Sequence, residues 1–221
     1  MDLVLNAGIG GHHTSHLLER CERDVLVHRP TLVVLKVGAN DGLNSNALVP
    51  VDEYRANLEL LCERITAQAA LLLLLLLLLT PLPFVAHLHA TCHPLTAWAG
   101  EQPAARHAAI IAQLRAVAAT RALPLFDLHA VIMGAGGAGD ERECLLRNLA
   151  NSGQPDGVHS NPAGYRMIGA AVYAAILAQR LPSAKTVCFG DSITFGSSVA
   201  GSGTVSCETY PAVLQRMLAA G

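Results

Sequence analysis

The chain has 221 residues, 52% hydrophobic and 14% charged, with a formal net charge of −2. That length and apolar content predict one globular α/β domain over residues 1–221 with a sizeable core, and the mixed charge, without a basic stripe, excludes nucleic acid as an expected partner. Six cysteines are scattered without a CxxC pair, which reads as buried free thiols of a reducing compartment rather than as a disulfide framework or a zinc site.

A short strand is expected at 3–5, followed by the glycine-rich turn Asn6-Ala7-Gly8-Ile9-Gly10-Gly11. No charged segment precedes an apolar stretch at the start, so no leader is read and a cytoplasmic location is expected. A helix at about 14–27 stops before Pro30. His12 and His13 are expected to be exposed at its start. The apolar strand 32–37 runs into Gly38-Ala39-Asn40-Asp41. A helix over about 52–69 places Leu58, Leu61, Cys62 and Ile65 at helical spacing.

Leu71 to Leu79 is a run of nine leucines. A membrane-spanning helix needs about 20 residues, so the run predicts a buried parallel strand at about 72–79, apolar on both faces, and no transmembrane segment. His87, His89, Cys92 and His93 match no standard zinc spacing and are expected on a loop beside the pocket. A helix at 103–121 and a strand at 123–126 follow. The segment 127–155, rich in glycine at 134–139, is expected to be an irregular loop framing the pocket. The helix 162–180 has a clear start, with Asn161 as cap and Pro162 in the first helical position. The last strand, 186–189, and a helix at 210–220 complete the alternation. Strands alternating with helices predict a parallel sheet covered on both faces, with the site at the strands' carboxyl ends.

Three strand ends and one turn carry the chemistry. The strand at 186–189 ends in Gly190-Asp191-Ser192, with Gly196 four residues after the serine. Such a turn presents a nucleophilic serine. A serine hydroxyl needs a base to take its proton, the base needs an orienting acid, and the oxyanion needs donors. Asp156 and His159 lie three apart before the helix at 162. Asn40 and Gly11 follow strands. Each has a plainer reading: Ser192 in a phosphate-binding turn, although no P-loop lysine follows, Asp156 and His159 as turn and helix-entry residues, Asn40 and Gly11 as turn formers. Asp191 reads as structural.

Together the four segments resemble the four sequence blocks of the SGNH hydrolase (GDSL-type esterase/lipase) family, along essentially the whole chain. The resemblance implies a three-layer α/β/α sandwich with a five-stranded parallel sheet, flavodoxin-like. It implies Ser192 as nucleophile, His159 as general base, Asp156 as its partner, and Gly11, Asn40 and the Ser192 N–H as oxyanion donors. A small-molecule ester is the expected substrate; no cofactor or metal is expected. Two departures stand out. The serine block comes last, whereas the family places it first; moving Ser183 to Gly221 ahead of Met1 restores the family order, so the chain reads as a circular permutant. The strand at 186–189 should then lie between those at 3–5 and 32–37. The second departure is His12, where the family often has Asp. A short-chain ester hydrolase is the first functional reading. A non-catalytic or carbohydrate-binding relative of the same fold is the alternative, with acyl transfer to a sugar as a variant of the enzyme.

Overall fold

The computed structural model describes residues 3–67, 74–94 and 101–220. Five parallel strands form one sheet: β1 (Val4–Gly8), β2 (Leu32–Lys36), β3 (Leu75–Leu79), β4 (Leu125–Phe126) and β5 (Thr186–Gly190), in the spatial order β1-β5-β2-β3-β4. The strand latest in sequence therefore lies inside the sheet, between β1 and β2, as the block order predicts. Its register pairs Gly190 with Gly8 on one side and with Lys36 on the other. The three strands thus end level, and their following turns meet.

Alternation along the strands explains the two apolar layers. Val33, Leu35, Leu76, Leu78, Val187 and Phe189 belong to one core, with Leu17 and Cys21 of α1 (Thr14–Asp24), Leu58 and Leu61 of α3 (Val51–Ala67) and Ile110 and Leu114 of α5 (Pro103–Thr120). Leu32, Val34, Leu77, Leu79 and Cys188 belong to the other. It is completed by Leu88 of α4 (Ala86–Cys92), Ile132 of α6 (Leu128–Gly134), Ile168 of α8 (Pro162–Ala178) and Leu214 of α10 (Tyr210–Ala220). A sheet covered on both faces leaves strand ends as the place where polar groups converge.

Asn161 caps α8 by accepting from the Gly164 N–H at 2.9 Å, with Pro162 next in line. The helical stretch expected at 14–27 breaks at Asp24; a separate 3-10 turn covers Leu26–His28, and Arg29 is left-handed at φ 50°. The segment 127–155 is not an irregular loop throughout. Asp127 caps α6 through the Ala130 N–H, and α7 (Leu149–Ser152) begins at Asn148. Between them, residues 145–147 run extended against 159–161, with an antiparallel bridge from Leu146 to Ser160. Nor are His87, His89 and Cys92 on a loop: they lie on α4. His12 and His13 are half-buried rather than exposed, because α1 leans on the next strand's turn. Cys21, Cys62, Cys144 and Cys188 are buried thiols, while Cys92 and Cys207 are exposed. Leu71 to Leu73 fall outside the described residues, as do Met1 and Gly221.

Candidate active site

β5 delivers Ser192 at the first position of the short helix α9 (Ser192–Phe195). Gly190 allows this: a Cβ there would strike the Lys36 carbonyl and the Thr194 hydroxyl. Asp191 is wholly buried and does two things. Its Oδ1 accepts the Ile193 N–H at 3.0 Å, capping α9, and its carboxylate takes both contacts of the Lys36 ammonium, at 2.9 and 3.1 Å. Asp191 is structural, as its sequence position suggests. A lysine in an otherwise apolar central strand is the readable sign of this pair, because a buried ammonium requires a buried anion.

His159 stands over the serine, its Nε2 3.0 Å from the Ser192 Oγ. Its Nδ1 lies 3.0 Å from both oxygens of Asp156. The Asp156 Oδ1 also accepts the backbone N–H groups of Val158 (3.0 Å) and His159 (2.9 Å), and Oδ2 accepts from Arg147 Nη1 at 3.2 Å. Burial pushes the Asp156 carboxyl up, but the His159 ring and these N–H donors outweigh it and hold it down at about 2. Asp156 is thus an anion throughout the neutral range. An ionised acceptor at Nδ1 fixes the tautomer that leaves Nε2 able to accept the serine proton. The Arg147 N–H donates to the His159 carbonyl at 2.8 Å and the Gly157 N–H to the Arg147 carbonyl at 2.8 Å. The sequence reading missed Arg147 because it lies in the stretch taken for a loop.

The turn after β2 brings the third group. Gly38 has φ 117°, and a Cβ there would press on Ile110 and Tyr54. It starts α2 (Ala39–Leu43) so that Asn40 lines the same cleft as Ser192 and His159. The Asn40 Nδ2 donates to the His12 carbonyl at 2.9 Å. Next to it, the buried Asp41 Oδ1 accepts both the N–H (3.0 Å) and the hydroxyl (2.6 Å) of Thr14, tying α1 to α2. Gly11 sits in the adjoining loop at φ 77°. The backbone N–H groups of Gly11 and Ser192 make no hydrogen bond among the described residues.

The cleft has a volume of about 330 Å³ and is walled by Leu43, His89, His93, Arg147, Pro155 and Val158. His89 Nε2 meets the Leu43 carbonyl at 2.8 Å, and His93 Nδ1 lies 2.9 Å from the Ser45 hydroxyl. These histidines shape the wall. Among the described residues no group of three or more His, Cys, Asp or Glu side chains is placed to hold a metal. No described helix is long and apolar enough to cross a membrane.

The structure therefore joins Ser192, His159 and Asp156 in one hydrogen-bonded line, with Asn40 on the same cleft and Gly11 one residue from the carbonyl that Asn40 holds. The sequence profile of the GDSL-like lipase/acylhydrolase family matches residues 1–167. The chain belongs to that family. The match covers the glycine, asparagine and Asp/His blocks and stops before β5 and Ser192.

Solved structures agree on the fold. An acetyl xylan esterase, AlAXEase, superposes with TM-score 0.60 at 23% identity over 77% of this chain and 79% of that one. A lipase/acylhydrolase from Enterococcus faecalis gives TM-score 0.56 at 24% identity, covering 78% and 74%. The acetylxylan esterase Axe2 from Geobacillus stearothermophilus gives 0.55 at 19%, covering 76% and 69%. No curated protein matches the chain.

Proposed function

We propose that the protein is a serine ester hydrolase acting on small or short-chain carboxylic esters. The observation that carries this is the unbroken line from Ser192 Oγ through His159 to Asp156, open to a cleft. Ser192 attacks the ester carbonyl as His159 Nε2 takes its proton. The oxyanion is received by the N–H groups of Ser192 and Gly11 and by the Asn40 amide. His159 returns the proton to the leaving alcohol, then activates water to release the acid. A cleft of about 330 Å³, walled by Leu43, Pro155 and Val158, suits a short acyl group. Two structural neighbours are themselves acetyl xylan esterases.

Hydrolysis of p-nitrophenyl acetate, with Ser192→Ala as the control, tests the reading. A fall in kcat of about 10³-fold or more is expected; turnover close to wild type in that variant would end it, and a wild-type protein inert on a series of short esters would favour the non-catalytic alternative.

The circular permutation is part of the same proposal. Its support is the order of the four blocks, the place of β5 between β1 and β2, and the hydrogen bond from the Val4 N–H to the Gln215 Oε1 at 2.8 Å, which seats α10 beside the start of β1. A chain rebuilt to begin at Ser183, with 221 joined to 1, should fold and hydrolyse ester at the same rate.

A further inference from the structure

Arg20 lies on α1 and is 3% exposed, yet its partners belong to three separate parts of the site. Nη1 donates to the Ala7 carbonyl at 2.8 Å, near the end of β1. Nη2 donates to the Gly190 carbonyl at 2.8 Å, two residues before Ser192. Nε donates to the His12 Nδ1 at 3.1 Å. The guanidinium also lies 4.6 Å from the centre of the Phe189 ring, and Asp24 balances its charge at 3.1 Å. A planar fork with fixed donor directions can bind two strand ends and a loop at once; an ammonium cannot.

His12 joins this fork to the cleft. Its ring accepts from Arg20, and its backbone carbonyl accepts one hydrogen of the Asn40 amide at 2.9 Å. An amide nitrogen carries two hydrogens. Asn40 lines the cleft with Ser192, and its second hydrogen has no protein partner among the described residues. Holding the first hydrogen fixes the direction of the second. Burial and the Arg20 charge hold the His12 ring below its usual titration range, and His16 and His13 add to this. The ring is then neutral near pH 7 and able to accept.

We propose that Arg20 is a positioning residue that works through His12, holding the His12 carbonyl where it aims the Asn40 amide at the oxyanion. This rests on Asn40 being an oxyanion donor. Arg20 touches no substrate. Its contribution reaches the reaction as a smaller spread of amide orientations in the transition state, since donors set in advance need no reorganisation.

A double-mutant cycle tests it: kcat and KM with p-nitrophenyl acetate for wild type, His12→Ala, Asn40→Ala and the pair. Arg20→Lys replaces His12→Ala in a second cycle. The His12 variant keeps the backbone carbonyl and leaves the buried Arg20 contacts to the two strands in place, so it reports on the relay without removing the fork. Asn40→Ala should lower kcat about 10²–10³-fold. His12→Ala should lower kcat roughly 5- to 20-fold with KM within about twofold, and should lower the kcat of Asn40→Ala by less than about twofold, because coupled groups do not act additively. The Arg20→Lys cycle should show the same loss of effect. Equal fold-losses from His12→Ala in the two backgrounds, or a His12→Ala enzyme as fast as wild type, would overturn the proposal. An Asn40→Ala enzyme with wild-type kcat would overturn the oxyanion reading and this proposal with it, an outcome separable from the first by the single variant alone.

Discussion

The two halves of the site are held in opposite ways. Ser192 stands just past the end of β5, an interior strand, over an ion pair, Lys36 with Asp191, in which both side chains are 0% exposed. Asp156 and His159 stand on a turn, with side chains 14% and 28% exposed, held by N–H donors and by an extended segment laid beside it. The serine is anchored in the sheet's interior and cannot move without the sheet. His159 and Asp156 are fixed by local hydrogen bonds on that turn. Damage on the serine side should therefore appear chiefly as lost stability, and damage on the histidine side chiefly as lost rate with a smaller loss of stability.

Asp156→Asn is the sharpest break between the two. An amide keeps an acceptor for the Val158 and His159 N–H groups but cannot serve as the ionised partner of the ring. The kcat for ester hydrolysis should fall about 10²–10⁴-fold, while urea unfolding at pH 7 shows a loss of no more than about 2.5 kcal/mol, the contribution of the depressed carboxyl. A large loss of stability here would erase the distinction. Lys36→Met is the converse. It leaves a wholly buried carboxylate without its cation, and urea unfolding should show a loss of about 3–5 kcal/mol. A Lys36→Met protein as stable as wild type would show that the buried pair does not hold the serine side in place.

Asp41, which ties α1 to α2, extends the comparison to pH. Burial pushes its carboxyl up to about 6 from an ordinary 3.8, against the pull of the Thr14 hydroxyl and N–H. The folded protein then binds a proton more readily than the unfolded chain between these values. Stability must fall as pH rises through that window, with the loss complete above about pH 6. Roughly two pH units at about 1.4 kcal/mol each make this as much as about 3 kcal/mol. Urea unfolding from pH 4 to 7 should show the decline in wild type, and Asp41→Asn should flatten it. Asp156 acts in the other direction. Held at about 2, it contributes stability present above about pH 4 and lost as pH falls through 2. The smallest effect belongs to Arg147→Gln. Its single contact with Asp156 is partly solvated, so a loss of roughly 1–2 kcal/mol is expected by urea unfolding, well below that of Lys36→Met.

Much of this arrangement was legible beforehand. Apolar runs leading into glycine located three of the strand ends, and the three residues in line were named from their turns. What escaped lay in tertiary partnerships. Arg20 reads in sequence as one more polar residue on an amphipathic helix; only the level ends of β1 and β5 give its fork two carbonyls to bind. His12 reads as an exposed helix entry, because nothing local reveals that Asn40 from the next strand's turn will hold its carbonyl. The stretch 127–155 looked irregular because its order comes from pairing with 159–161 and from two short helices capped by Asp127 and Asn148. Neither produces a long periodic pattern.

The position of β5 has a consequence for how the molecule is made. The strand between β1 and β2 is synthesised after the other four, so β1 and β2 wait with their facing edges unpaired. Unpaired edges invite pairing with other chains. The growing polypeptide must keep a slot open, or reopen one, for residues that emerge more than 100 positions behind β3. Under the proposed mechanism, catalytic competence then arrives as a late event of biogenesis: with no serine between the glycine turn and the asparagine turn, a nascent chain carries His159 and nothing for it to activate.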